Sequence, residues 1–250
     1  MIVMKFGGTS VRDVDAVRRV IGIVGRETRP RLVVVSALAG VTDGLLDIAG
    51  QFESGEGATA EDAVRGLRRR HEEMGPLVGS PERKAALLAD LDRRFDELEA
   101  IVHALAVVEE VSPRSRDTIV SFGELTSSRI VAAALEDAGI PSRAVDPRTV
   151  LVTNDEHGSA QPDLEATDAR LLEEVKPLLD QGIVPVLGGF VGASAAGLTT
   201  TLGRGGSDYS AALFGAGLGA EEIQIWTDVD GMLTADPRMV PGTRVVPHLS

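Results

Sequence analysis

The segment Thr199-Thr200-Thr201-Leu202-Gly203-Arg204-Gly205-Gly206-Ser207-Asp208-Tyr209 concentrates residue types that grip an anion. Three hydroxyl residues lead into a glycine-rich turn that contains one guanidinium, and Ser207-Asp208 then opens the apolar run Tyr209 to Gly219. That order predicts a loop, an N-cap and a helix. A helix start leaves backbone N–H groups without partners and carries partial positive charge, while glycines let a bound anion come close to the main chain. Arg204 adds a planar fork that holds a carboxylate or phosphate through two parallel hydrogen bonds. The same residues also suit a plain tight turn and a capped helix, so other segments must decide.

Lys5 is the second candidate. Ile2-Val3-Met4-Lys5-Phe6 reads as a strand, followed by Gly7-Gly8-Thr9-Ser10 and an amphipathic helix to about Val24 with Val11, Val14, Val17, Val20, Ile21 and Val24 at helical spacing. This strand, glycine loop and helix is neither the GxGxxG dinucleotide fingerprint nor a GxxxxGK[ST] P-loop. A lysine at a strand end beside the N–H groups of Gly7 and Gly8 can span phosphate oxygens as charge shifts during transfer. It can equally be a lysine that snorkels from a strand end. Lysine occurs only at Lys5, Lys84 and Lys176, the remaining basic side chains being arginine, which makes a lysine inside this apolar strand conspicuous.

Three further places carry chemistry. Leu32-Val33-Val34-Val35-Ser36 is a β-branched run suited to a buried parallel strand, and Ala37 to Asp43 turns it into a helix. Ser36 and Thr42 therefore lie at the carboxyl end of a strand, where open α/β sheets bind ligands; capping and turn chemistry is the other reading. Ser112-Pro113 begins a helix in which small residues cluster around Glu124, and Gly123 in its interior signals close approach by another helix or a ligand. Glu124 is placed to receive an ammonium group, or is an ordinary exposed glutamate. The strand Glu222 to Trp226 runs into Thr227-Asp228, with Leu233 and Arg238 further along the loop. Thr227, Asp228 and Arg238 suit ribose and phosphate, Asp228 alternatively orients a metal, and the loop is otherwise an Asp-rich turn.

The elements that position these residues alternate between strand and helix. Pro141 to Asp146 predicts a short strand, Asp163 to Leu179 a helix, Gly182 to Phe190 a buried strand, and Phe190 to Leu202 a hairpin that delivers the Arg204 segment. From about 55 to 110 the composition changes to Glu, Arg, Ala and Leu with helical periodicity, which predicts a helical excursion from the sheet. Arg68-Arg69-Arg70 there reads as a solvated face with i,i+4 pairing. No internal repeat or low-complexity linker divides the chain.

Composition bounds the function. The 250 residues carry a formal net charge of −13, which argues against a nucleic-acid partner because phosphate backbones demand a basic face. Cysteine is absent, which excludes disulfide and thiolate chemistry, and His71, His103, His157 and His248 have no metal-ligand spacing. No apolar run approaches the length of a membrane span, so the reading is a soluble, cytoplasmic protein.

Taken together, Lys5 to Ser10, Ser36-Ala37 with Gly40-Val41-Thr42, Ser121-Phe122-Gly123-Glu124, Thr199 to Ser210, and Trp226-Thr227-Asp228 with Asp236-Pro237-Arg238 resemble the aspartate kinases of the amino-acid kinase superfamily. Order and spacing match across nearly the whole chain. The resemblance implies an α/β/α sandwich around a mainly parallel sheet of about eight strands. It implies ATP-dependent phosphorylation of the β-carboxylate of L-aspartate, the first step toward lysine, threonine and methionine. By position, Lys5 is similar to the lysine that stabilises the transferring phosphoryl group, and Asp208 to the carboxylate that organises Lys5 or the metal region. Ser36, Thr42, Glu124, Arg204 and Ser207 match aspartate-site positions, with Arg204 on a substrate carboxylate and Glu124 near its ammonium. Gly7, Gly8, Thr227, Asp228, Leu233 and Arg238 match nucleotide-site positions, although many relatives carry a tyrosine where Leu233 stands. ATP would bring Mg²⁺ with it, and no residue is assigned here as a metal ligand.

The family continues beyond Val245 to His248 with a helix, a lysine-bearing nucleotide strand and usually paired ACT regulatory domains that bind lysine or threonine. The expectation is a catalytic domain over 1–250, C-terminally incomplete, with a helical insertion at about 55–110, taken from a full-length protein that is a homodimer. Sibling kinases acting on glutamate or acetylglutamate would share the glycine loops and differ around Thr42, Glu124 and Arg204. A nicotinamide oxidoreductase is disfavoured by the missing fingerprint, and a non-catalytic binding module is the remaining alternative.

Overall fold

The computed structural model describes residues 1–53, 59–228, 231, 233–236 and 239–246. Five strands, β1 (Ile2–Phe6), β2 (Arg31–Val35), β3 (Ser142–Val145), β5 (Val184–Gly188) and β8 (Glu222–Trp226), form a wholly parallel sheet in the order β3-β5-β2-β1-β8. The other three, β4 (Val152–Thr153), β6 (Val191–Ser194) and β7 (Thr199–Thr201), make a small mixed sheet in which β6 and β7 are the expected hairpin. Among the described residues, eight strands are thus divided between two sheets.

The alternation of side chains along a strand decides which residue meets which layer. Ile2, Met4 and Phe6 of β1 join Val33 and Val35 of β2 in one buried cluster, with α1 (Val14–Arg26), α2 (Val41–Glu53) and α5 (Pro113–Asp137). Val3, Leu32 and Val34 face the other way, onto Ala211 and Phe214 of α8 (Gly206–Gly217). Lys5 shares the face of Val3 and so points at α8. Register fixes the neighbouring strand ends, with Phe6 opposite Val35 on one side and Trp226 on the other.

The helical excursion consists of α3 (Ala60–Glu72) and α4 (Pro81–Val108), which pack on α2 and α5. Its arginine run is less solvated than expected. Arg68 is four-fifths buried in its side chain, lies over the Phe95 ring and reaches Asp92, Asp96 and Glu99 of α4. Arg70 donates to the carbonyl of Ala39 in the loop between β2 and α2. These bonds tie α3 to α4 and to the sheet loop, which i,i+4 pairing along one helix would not do.

The helix expected over 163–179 is interrupted. It runs as α6 (Leu164–Arg170), a π-helical turn over Leu171–Val175, and α7 (Lys176–Asp180). Pro177 has no N–H to give to the preceding turn, and the wider turn absorbs that loss. Among the described residues no helix is long and apolar enough to cross a membrane.

Candidate active site

Parallel strands leave their carboxyl ends on one edge of the sheet, and the loops that follow β1, β2, β5 and β8 collect there. Beside that edge lies a cavity of about 730 Å³. Lys5, Ser36, Thr42, Glu124, Arg204, Ser207 and Asp208 all line it. The seven residues expected to bind or process the acidic substrate therefore face one space, although they come from four segments of the chain.

Lys5 is 7% exposed, and its Nζ lies 2.6 Å from Asp208 Oδ1 on the first turn of α8. The start of that helix is set by glycine. Gly205 occupies the N-cap with φ 77°, a left-handed conformation that costs glycine little, and no side chain caps the helix. Ser207 is therefore inside the first turn, not the cap that the sequence pattern suggests, and it faces the cavity. The positive end of the α8 dipole points into the same space, which favours an anion there.

Glu124 lies on α5 and is 3% exposed. Gly123 allows this depth: a Cβ at that position would stand 2.7 Å from the Ala37 side chain, so the backbone of α5 packs directly on the Ala37 methyl group. Glu124 Oε1 accepts the Ala37 N–H at 3.2 Å, while Oε2 is buried without a hydrogen-bond partner. Burial pushes the carboxyl up to about 7, against the opposing pull of the Ala37 N–H and the Lys5 charge. A buried carboxylate oxygen with no partner is costly unless something cationic supplies one.

The nucleotide-side candidates gather on the adjacent strand ends. The Gly7 N–H donates to the Trp226 carbonyl at 3.1 Å, which joins the β1 loop to the β8 loop and removes that N–H from service to a phosphate. Gly8 begins a 3₁₀ turn over Gly8–Val11, and α1 starts only at Val14, capped by Asp13, so the glycines do not lead directly into the long helix. Thr227 Oγ1 donates to Asp228 Oδ1 at 3.1 Å. Leu233 bridges to Val245. None of these four positions, Gly7, Gly8, Thr227 and Asp228, lines the cavity, and Arg238 lies outside the described residues.

A model of the amino acid kinase family matches residues 1–250. The chain belongs to the amino acid kinase family. Among its curated relatives, lysine-sensitive aspartokinase 3 of Escherichia coli is 36% identical over 250 residues, which is all of this chain and 54% of the relative. Aspartokinase of Chlamydia trachomatis is 34% identical, again over 100% of this chain and 53% of the relative. A solved structure of E. coli aspartokinase III in complex with aspartate and ADP superposes with a TM-score of 0.87 at 37% identity, covering 98% of this chain and 53% of that one. The chain spans about half the length of the curated relatives it matches.

Within this family fold the cavity has a wall that motif reading passed over. Asp117, Val120 and Glu124 lie along one face of α5 and all line the space, together with Gly158, Phe190 and Thr201. Their i, i+3, i+7 spacing was the available signal, since it puts Asp117 two turns before Glu124 on the same face. Phe190 had no such signal. It holds φ 67° at the exit of β5, a conformation rare for an aromatic residue, with its N–H on Ser210 Oγ at 2.8 Å and its ring against Gly206. Three-residue groupings of His, Asp or Glu that could hold a metal are absent among the described residues.

Proposed function

We propose that this chain carries the phosphoryl-transfer domain of an aspartokinase, which phosphorylates the β-carboxylate of L-aspartate from ATP. The observation that carries the reading is the unpartnered Oε2 of Glu124 in the same cavity as Lys5 and Arg204. One buried acceptor and two separate cations match an amino acid with two carboxylates. The substrate ammonium supplies the missing partner of Glu124, Arg204 takes the α-carboxylate, and the side-chain carboxylate lies toward Lys5. Ser36, Thr42 and Ser207 offer hydroxyls to the same anion.

The chemistry asks for no general base, because the carboxylate nucleophile is already ionised at neutral pH. One of its oxygens attacks the γ-phosphorus, the bond to the β–γ bridging oxygen breaks, and ADP leaves with that electron pair. What the protein must do is align two anions and offset charge on a loose transition state. Lys5, buried and oriented by Asp208, is the cation placed for that. ATP is assigned to the side of Gly7, Gly8, Thr227, Asp228, Leu233 and Arg238. Mg²⁺ keeps several waters and travels on the phosphates, so one or two carboxylates suffice to receive it; Asp208 and Asp228 are two candidates.

Relatives named aspartokinase, one of them solved with aspartate and ADP, support the same reading. It places the protein in the cytoplasm, at the head of lysine and threonine synthesis, with 1–250 as the catalytic portion of a homodimer and 55–110 as its helical insertion. An acetylglutamate kinase is disfavoured because acylation removes the ammonium and would leave Glu124 Oε2 unpaired. The test is an ATP-dependent hydroxamate assay with aspartate, glutamate and acetylglutamate. Acyl phosphate from aspartate is expected; formation from either of the others in preference would overturn the assignment.

A further inference from the structure

Asp117 lies at the far wall of the cavity and is 2% exposed, yet it is no part of the substrate or nucleotide set above. Its carboxylate collects four hydrogen bonds from two distant segments. His157 Nδ1 lies 2.9 Å from Oδ2, and because a carboxylate only accepts, the imidazole proton sits on Nδ1. The Gly158 N–H donates to both oxygens, at 3.1 and 3.0 Å. Thr201 Oγ1 donates to Oδ1 at 2.6 Å.

Both segments lead to Arg204. Thr201 is the last residue of β7, three before the guanidinium, and its carbonyl accepts the Ala160 N–H at 2.9 Å. Gly158 packs on the turn itself, since a Cβ on Gly203 would stand 3.0 Å from the Gly158 carbonyl oxygen. Gly203 and Gly205, on either side of Arg204, hold φ 76° and 77°. Glycines lose more backbone freedom on ordering than any other residue, so this turn needs an external clamp if Arg204 is to be presented in one place.

We propose that Asp117 is a positioning residue: through Thr201 and Gly158 it locks the glycine turn that presents Arg204, and so sets affinity for the carboxylate of the amino-acid substrate without touching that substrate. The proposal rests on the reading of this cavity as the acidic amino-acid site. A polar group left with its buried donors unpaired costs about 1 to 3 kcal/mol, which is about a fivefold to 150-fold loss in binding if the turn alone is released.

Aspartate binding is measured by calorimetry on the 250-residue chain and its variants, with thermal unfolding of each recorded alongside. Asp117→Ala is expected to weaken aspartate by about fivefold to 150-fold, and Asp117→Asn, which keeps an acceptor for Thr201, by less. Thr201→Val is expected to reproduce part of the loss, and Thr201→Ser to restore it. In steady-state assays the loss appears in KM for aspartate, with KM for ATP and kcat changed little. Equal aspartate affinity in wild type, Asp117→Ala and Thr201→Val overturns the proposal, as does a parallel loss of unfolding temperature, kcat and both KM values, the pattern of a purely structural residue. If Asp117→Ala does not fold, the Thr201 pair decides. A wild-type chain that fails to bind aspartate while binding another acidic amino acid overturns the substrate assignment, and the same variants measured with that amino acid still test Asp117.

Discussion

Lys5 Nζ lies 2.6 Å from Asp208 Oδ1, a contact between β1, an inner strand of the parallel sheet, and the first turn of the helix that covers it. The ammonium is nearly buried and its partner is about half exposed, so the pair orients Lys5 more than it stabilises the fold. Lys5→Ala is expected to lower kcat by about two to three orders of magnitude, the scale seen when one group that meets transition-state charge is removed. The circular-dichroism spectrum should stay folded, because Asp208 can hydrate. Asp208→Asn should lose less. Near-normal kcat in a folded Lys5→Ala protein would remove Lys5 from the chemistry.

Arg204 is exposed on its glycine turn, which makes it a group for ligand, not for fold. Arg204→Ala should raise KM for aspartate far more than KM for ATP, by an amount that corresponds to about 2 to 5 kcal/mol if the pair is desolvated when substrate binds. Unfolding temperature should not move. A larger effect on ATP would assign Arg204 to the phosphates.

Glu124 makes aspartate affinity depend on pH. Its carboxyl is raised to about 7 by burial, so near pH 6 most molecules carry a proton that an incoming ammonium must displace. Binding should tighten as pH rises from about 6 to 8, a window in which aspartate's own groups do not titrate. Glu124→Gln should bind more weakly and without that slope. Calorimetric titrations at three pH values check both statements, and a flat wild-type profile would place the ammonium elsewhere.

Much of the site was legible because its residues carry local signals. Lys5 before Gly7-Gly8 and Arg204 among glycines announce backbone approach, and Gly123 announced close contact in a helix interior, which proved to be Ala37. The cap of α8 was misread because Ser207-Asp208 is a good capping pattern, yet Gly205 in the left-handed region caps the helix two residues earlier. Asp117 shared a helix face with Glu124, but its partners were not legible, since its four bonds come from residues 40 to 84 positions away. Arg68 and Arg70 resembled a solvated stripe for the same reason: their partners are on α4 and in the β2 loop, which helical periodicity does not reveal.

His71 supplies a last test, because it opposes Glu124 in acid. It is fully buried between α3 and α5, with Nδ1 2.8 Å from the Leu67 carbonyl and Nε2 3.0 Å from Thr126 Oγ1, and burial lowers it to about 4. A histidine neutral in the native state contributes full stability above pH 6.5, and that contribution is lost as pH falls toward 4, by about 3 kcal/mol in all. Glu124 works the other way. Its native carboxyl holds a proton up to about 7 while the unfolded one releases it near 4.5, so stability gains about 3 kcal/mol as pH falls across that range. Between pH 4.5 and 6.5 the two nearly cancel. Each single variant should therefore expose the other: Glu124→Gln should lose stability steadily as pH drops from 6.5 to 4.5, and His71→Gln should gain it. Urea unfolding at pH 4.5, 5.5 and 6.5 measures the slopes relative to wild type, which removes the contribution of the surface carboxylates. Parallel slopes in all three proteins would show that neither group is as strongly held as its burial indicates.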